Sequence, residues 1–376
     1  LMIRSFVKNI LMLVALCASM SRALSADLSI TPAAATNDYA GKIVLTVTGM
    51  APGTSSRIEQ YFDVNANGVI DAGDILGKSF LVTDGAEPVS FADGSTRVRN
   101  WNIPADEDGA ANGQIRVEWF YPGVGRVIDS ITGAYVFKVS DPASSYAPLT
   151  RSFTIKQKVL PQGVTGRVTV TGTGNPLANA PVLLVPPDGS PVAGAFTDAN
   201  GNYTLYGPPG QFVVLPMMPG FVADSRAGMA IVKSGLATLN LSVPAATRMI
   251  SGKLQDRSSG AGIPGVLLLA QSSAGQISTG ISDSAGNFSI TVLAGEWEIN
   301  ADGGALAPLG YVGFGDNAKV VVSTVTGNVS NLSLAAVKAN ALIYGTLTDS
   351  QNQPIVGLPI WARDSGGLYD ANGMSL

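Results

Sequence analysis

Apolar and polar residues alternate with a period of two through most of the chain, in short runs closed by Gly, Asn, Asp or Pro. Lys42 to Val47 reads KIVLTV, Gln114 to Phe120 reads QIRVEWF and Ala134 to Val139 reads AYVFKV. Similar runs occupy Val164–Val170, Gln211–Leu215, Val266–Ala270, Lys319–Val322 and Val329–Leu334. A period of two sends successive side chains to opposite faces, so each run predicts a strand with one buried and one wet side. Sustained helical periodicity is nearly absent. Many short strands with Gly/Pro turns predict an all-β protein of tandem β-sandwich domains.

The strongest pattern has a much longer period. TDANGNYTL at Thr197–Leu205 recurs as SDSAGNFSI at Ser282–Ile290 and as YDANGMSL at Tyr369–Leu376, which sets Asp198, Asp283 and Asp370 85 and 87 residues apart. Strand openings VTGRVTV (Val164–Val170), ISGKLQD (Ile250–Asp256) and IYGTLTD (Ile343–Asp349) precede them. The middle segments PLANAPVLL from Pro176, GIPGVLLLA from Gly262 and PIVGLPIWA from Pro354 correspond as well. Each Asp predicts a turn in which the carboxylate bonds nearby backbone, the Gly takes the left-handed position, and Tyr203 or Phe288 then points into a core. A period near 85 suits a seven-stranded sandwich with two apolar inner faces.

This succession (G-x-V, then P-x-x-(G/N)-x-x-V/I, then T/S-D-x-x-G-x-Y/F, then P-G-x-(Y/F)) resembles carboxypeptidase regulatory-like domains. The resemblance implies a transthyretin-like or Cna-B-like sandwich over residues 159–249 and 250–340, with a third copy starting at 341–376. It also implies modules that are non-catalytic and serve as stabilising or adhesive units. The third copy breaks off inside its module, which predicts a truncated chain with room for a catalytic region beyond Leu376. Residues 27–158 stand outside the repeat, and GAYVFKVSD followed by RSFTI resembles the closing strand pair of an immunoglobulin-like domain.

The first 26 residues carry Arg4 and Lys8, an apolar run from Ile10 to Ala18, and small residues at Ala23, Ser25 and Ala26. Those are the three parts of a secretory signal, and the apolar run is too short to span a bilayer. No later stretch is apolar over 18 residues, so the mature chain is expected to have no transmembrane segment. The charge balance is 23 Lys plus Arg against 27 Asp plus Glu; removing Arg4, Lys8 and Arg22 leaves 20 against 27, a net −7. That balance disfavours nucleic acid as a partner. The sequence holds no His, and its one Cys is Cys17, within the leader. Histidine relays, His-ligated metals, thiol nucleophiles and disulfides are thereby excluded from the mature chain. An exported chain without thiols fits a bacterial secreted or cell-surface protein.

DVNANGVIDAGD at Asp63–Asp74 carries the sharpest local chemistry. Oxygen-bearing side chains fall at loop positions 1 (Asp63), 3 (Asn65), 5 (Asn67), 9 (Asp71) and 12 (Asp74), with Gly68 at position 6 and the Val69 carbonyl at position 7. A dockerin-type or EF-hand-type calcium loop spaces its oxygens this way, because Ca²⁺ takes several hard oxygens in a flexible shell. The flanks alternate like strands, so the reading is a structural Ca²⁺ loop on a β-hairpin; the alternative is an Asn/Asp/Gly turn that binds nothing. By contrast, Asp198, Asp283 and Asp370 lack the twelve-residue spacing and read as turn formers.

Cna-B-like domains can carry a Lys–Asn isopeptide bond, for which the second module offers Lys253 with Asn328 or Asn331. Trp101, Trp119, Trp297 and Trp361 could stack on sugars, although Trp297 aligns with Phe212 and reads as core. No catalytic residue is assigned. The expected role is a non-enzymatic, calcium-stabilised surface scaffold or adhesion protein whose partner is a surface protein or polysaccharide. Two alternatives remain: the non-catalytic front of an exported peptidase or glycosidase, and a carbohydrate-binding protein.

Overall fold

The computed structural model describes residues 25–39, 41–120, 130–187, 189, 191–356 and 358–375. Apart from Ser25 and Ala26, the leader assigned from the sequence lies outside the described residues.

The first domain is built from β1 (Asp27–Thr31), β2 (Ala34–Thr36), β3 (Lys42–Thr48), β4 (Ser55–Phe62), β5 (Ile75–Thr83), β6 (Ser90–Asp93), β7 (Thr96–Arg99), β8 (Ile115–Phe120), β9 (Gly133–Ser140) and β10 (Leu149–Lys156). One sheet runs β1-β3-β8, the other β2-β10-β9-β4-β5, and β6-β7 is a separate hairpin. The chain changes sheet between β1 and β2, and β2 then pairs parallel to β10. The result is an immunoglobulin-like sandwich. Period-two alternation buries Ile43, Leu45 and Val47 from β3 and Ile115 and Val117 from β8 against Ile58, Phe137, Val139, Phe153 and Ile155. Each such side chain is worth about 1.5–3 kcal/mol when taken out of water.

Two sandwiches of one design follow. The first contains β11 (Gly163–Val170), β12 (Pro181–Val185), β13 (Ala193–Phe196), β14 (Asn202–Tyr206), β15 (Gly210–Pro216), β16 (Ala223–Asp224), β17 (Met229–Val232), β18 (Leu236–Thr238) and β19 (Leu241–Val243). The second contains β20 (Arg248–Asp256), β21 (Leu267–Gln271), β22 (Gln276–Ile281), β23 (Asn287–Val292), β24 (Glu296–Ala301), a single helical turn α1 (Gly303–Leu306), β25 (Gly313–Phe314), β26 (Val320–Ser323) and β27 (Val329–Ala336). The three-stranded layers are β14-β11-β18/β19 and β23-β20-β27; the four-stranded ones are β13-β12-β15-β17 and β22-β21-β24-β26. In both modules the first strand pairs parallel to the last, β11 with β18 and β19, β20 with β27. Seven principal strands in two layers match the repeat length. Each module has its own core, one around Val164, Val182, Leu184, Leu205 and Phe212, the other around Ile250, Leu254, Leu268, Ile290 and Trp297.

The third copy is placed differently from its sequence assignment. Among the described residues, only β28 (Pro359–Arg363) and β29 (Tyr369–Met374) form strands beyond the second module, in a sheet ordered β25-β29-β28. Asp370 lies inside β29, in register with Arg363, and the two side chains form an ion pair. It is therefore not a turn former. The residue four positions after Asp198 and Asp283 is an Asn whose side-chain amide donates to the carboxylate, whereas Asp370 is followed at that offset by Met374, a residue type with no side-chain N–H. Ser375 fixes the true register. Its N–H donates to the Leu358 carbonyl and its hydroxyl accepts from the Leu358 N–H. Ser282 does the same with Val266, and Thr197 with Ala180. β29 thus corresponds to β22 and β13, one strand earlier than the shared letters imply.

The three units also share apolar contacts. Leu183, Leu215, Ala223 and Leu267 join the first domain's core, and Phe62 packs edge-on against Phe196 with ring centroids 5.9 Å apart. The near-continuous apolar run of β12 follows from this: Val182 and Leu184 face the module's interior while Leu183 faces the first domain.

Candidate functional site

The acidic loop closes a hairpin. Asp63 directly follows β4 and Asp74 directly precedes β5, whose last pair is Phe62 with Ile75. The strand flanks expected from the sequence are therefore present. Asp63 is buried, and its two carboxylate oxygens accept from the backbone N–H of Asn67 at 3.0 Å and of Gly68 at 2.7 Å. The Asp63 N–H donates to the Ala134 carbonyl, tying the loop to β9. Asp74 accepts from the N–H groups of Val64 (3.0 Å) and Asp71 (2.9 Å), which clamps the loop's two ends together. Asp71 is the exposed hub: Asn65 Nδ2 and Asn67 Nδ2 reach its Oδ2 at 2.7 and 3.0 Å, and Gly73 N–H reaches Oδ1 at 2.9 Å. The Gly73 N–H, followed by the two amides, holds the Asp71 carboxyl below the usual carboxylate range.

All five oxygen-bearing side chains thus belong to one loop network in which each carboxylate is compensated by N–H donors. Among the described residues, no group of three or more His, Cys, Asp or Glu side chains is gathered as a metal centre. In donor chemistry the loop fits a hard cation, with three carboxylates, two amide oxygens and the Val69 carbonyl in twelve residues.

The repeated aspartates occupy equivalent settings. Asp198 Oδ1 accepts from Asn200 N–H and Asn202 N–H, both at 2.8 Å, and Oδ2 accepts from Asn202 Nδ2 at 3.0 Å. Asp283 repeats this with Ala285 N–H at 2.9 Å, Asn287 N–H at 2.8 Å and Asn287 Nδ2 at 3.2 Å. Both are structural turns. Bonds led by the Asn202 side chain hold the Asp198 carboxyl low. At Asp283 burial pushes upward, and the Asn287 N–H and its companions outweigh it.

A third carboxylate escaped the sequence reading. Asp256 is buried; its Oδ1 takes the Ser258 hydroxyl at 2.6 Å and Ser259 N–H at 2.7 Å, and its Oδ2 takes the Tyr311 hydroxyl at 3.0 Å. Those donors, Ser258 first, hold it far below the ordinary range. Burial, then the neighbouring Asp256, raises Tyr311 to about 12. A carboxylate with a lowered folded pKa stabilises the protein fully above its unfolded pKa of about 3.9, and that contribution is lost as pH falls through the folded value. Stability is therefore expected to stay level from neutral pH to about pH 5 and to decline below about pH 4. In acid titrations followed by denaturant midpoint, Asp256→Asn should flatten the decline; an unchanged slope would contradict the assignment.

The other candidates separate. Trp297 is fully buried and donates from Nε1 to the Leu293 carbonyl at 3.0 Å, as expected for core. Trp101, in the turn after β7 and stacked under Arg99 at 4.1 Å, and Trp361, on β28, are both exposed. Asn102 donates to the carbonyl of Asn372, the cross-strand partner of Trp361, and the Trp119 side chain lies outside the described residues. Lys253 donates to the Gly260 carbonyl, while the Asn328 side-chain oxygen accepts from the Met249 N–H, so the two are engaged apart from one another. Asn331 sits at the register shift between β20 and β27, where Lys253 faces Ser333.

The model of the carboxypeptidase regulatory-like domain matches residues 163–244, the first of the two repeated sandwiches. No curated protein matches the chain. Among solved structures, the Bacillus anthracis TIE protein is 12% identical over 93% of this chain and 67% of its own, with a TM-score of 0.22. A streptococcal ancillary pilin is 13% identical over 77% of this chain and 94% of its own, with a TM-score of 0.21. The shaft pilin SpaA from Lactobacillus rhamnosus GG is 10% identical over 48% of this chain and 99% of its own, with a TM-score of 0.20. Similarity this low carries no argument about function.

Proposed function

We propose that the chain is a non-enzymatic scaffold or adhesion protein, exported to the outside of a bacterial cell and stiffened by Ca²⁺ in the Asp63–Asp74 loop. The observation that carries this reading is the same sandwich built twice on equivalent aspartate turns, Asp198 and Asp283, with intervening loops that differ in sequence between the two copies. Repetition of a stable frame with changing loops makes length and display surface rather than a reaction centre. The regulatory-like match and the absence of His support it, as does the sequence of residues 1–26. Among the described residues, no helix is long and apolar enough to cross a membrane. The partner class is a surface protein or a polysaccharide, met by exposed loops.

Export is tested by expressing residues 1–376 in a bacterial host. A product outside the cytoplasm, shortened at Ala23 or Ala26, is expected; full-length protein retained inside would overturn the proposal.

Calcium would be held by Asp63, Asn65, Asn67, Asp71 and Asp74 with the Val69 carbonyl, and would screen carboxylates that now rely on N–H donors. With three carboxylates the affinity belongs to the extracellular class, about 10⁻⁴–10⁻³ M. Ten millimolar Ca²⁺ should then stabilise the first domain by about 1.4–2.7 kcal/mol. Thermal melts of the whole chain with Ca²⁺, with Mg²⁺ and after chelation measure this, and the exposed Asp71→Asn variant should lose most of the gain. Superimposable melts in all three conditions would leave the loop as a metal-free turn.

A further inference from the structure

In both repeated sandwiches the third strand, β13 or β22, sits at the edge of the four-stranded layer, where its outer N–H and C=O groups would face water and invite foreign strands, and β29 is the corresponding strand of the third copy. Every such edge is met by the unit that precedes it in the chain. Ile131, in the approach to β9, bridges Gly194 of β13, and both the N–H and the hydroxyl of Thr132 donate to the Gly194 carbonyl, at 2.8 and 2.7 Å. β16 of the first module pairs antiparallel with β22 of the second, Ala223 with Ile277 and Asp224 with Gln276, and Ser225 N–H extends the ladder to the Gly275 carbonyl at 2.9 Å. β25 of the second module pairs with β29, Gly313 with Asp370 and Phe314 with Tyr369.

The last two are one device used twice. β16 and β25 both lie in the connection between the fifth strand and the next edge strand of their module, Ala223 and Gly313 being 90 residues apart. Each connection is anchored to its own module's exit segment before it reaches forward. Phe221 bridges Ala245 as Tyr311 bridges Lys338. Val222 N–H donates to Pro244 at 3.1 Å as Val312 N–H does to Val337 at 3.0 Å, and Ala246 N–H to Gly220 at 2.8 Å as Ala339 N–H does to Gly310 at 2.9 Å. The repeat therefore encodes a forward-reaching strand as well as a sandwich.

We infer that this connection is an inter-module coupler: each module completes the open sheet edge of the module after it, so that the repeats act as a stiff, mutually dependent stack. The partner is the adjacent module of the same chain, recognised by backbone pairing rather than by side-chain chemistry. Neighbour terms of this kind make stability a property of the array, as in solenoids. The inference is independent of the calcium and export readings above.

Two measurements on the whole chain, in a Cys17→Ser background, test it. Directly opposed antiparallel residues have Cα atoms about 4.5–5.5 Å apart, inside the range a disulfide requires. The double variants D224C/Q276C and F314C/Y369C should each cross-link within one chain under mild oxidation, read as lost free thiols and a mobility shift. Thiols that stay as reactive as those of the single variants would overturn the pairing. Separately, Ser225→Pro removes the N–H given to Gly275. Hydrogen exchange at Gln276–Ser278 in the second module should rise at least tenfold while β15 of the first is unchanged. Exchange unaltered at Gln276–Ser278 would show that the contact couples nothing.

Discussion

Trp297→Ala should lower the stability of the second module by about 3–5 kcal/mol, the range for emptying a buried aromatic site. Trp297 has no exposed surface, stands on β24 opposite Val322 of β26, and packs in the cluster of Ile250, Leu254, Leu268 and Ile290. Its loss removes dispersion contacts on every side, and strands of two packed layers cannot close the gap without breaking their ladders. Trp297→Phe is expected to cost far less, since Phe212 fills the equivalent place in the first module. The Leu293 carbonyl also keeps its second donor, the Thr324 hydroxyl at 2.8 Å. Denaturant unfolding followed by far-UV circular dichroism measures both variants. A loss below about 1 kcal/mol for Trp297→Ala would be incompatible with the placement of this side chain.

Gly286→Ala should cost about 2–4 kcal/mol through two separate effects. The turn needs φ +81° at this position, and a Cβ there would lie 2.4 Å from the Leu254 carbonyl oxygen and 2.6 Å from the Gly262 Cα. Both neighbours are backbone of the module's own frame, and Leu254 N–H is itself bonded to the Gly286 carbonyl at 2.8 Å. Asn tolerates left-handed φ, so Gly286→Asn separates strain from collision. A loss as large as that of Ala identifies the collision as dominant; restoration to near wild type would assign the cost to φ alone. Gly201 stands in the same relation to Val168, with a Cβ 2.4 Å from its carbonyl oxygen at φ +78°, but Pro176 replaces Gly262 on the other side and the next contacts lie at 3.2 Å or more. Gly201→Ala should therefore be the milder of the pair.

The aspartate turns were legible because their determinants are local. Asp, Gly and Asn within five residues fix the backbone bonds whatever surrounds them, and the result is the same at Asp198 and Asp283. Trp297 was legible by alignment with Phe212, since equivalent positions in one frame meet equivalent cores. Asp256 was not, because its donors come partly from Tyr311, 55 residues away.

Sequence alone determined the strand periodicity, the seven-stranded repeat and the composition of the acidic loop, all of which depend on residues close together in the chain or on their regular recurrence. Tertiary structure decided the rest. It moved Asp370 from a turn into β29, because the strand register is set by Ser375 meeting Leu358 across the sheet and by Arg363 opposite the carboxylate. It made Leu183 and Leu267 part of another unit's core, and it turned β16 and β25 toward the following module. Those outcomes rest on backbone edges and apolar faces meeting over long separations, where any residue with an N–H and a C=O can pair and the letters carry little mark of it.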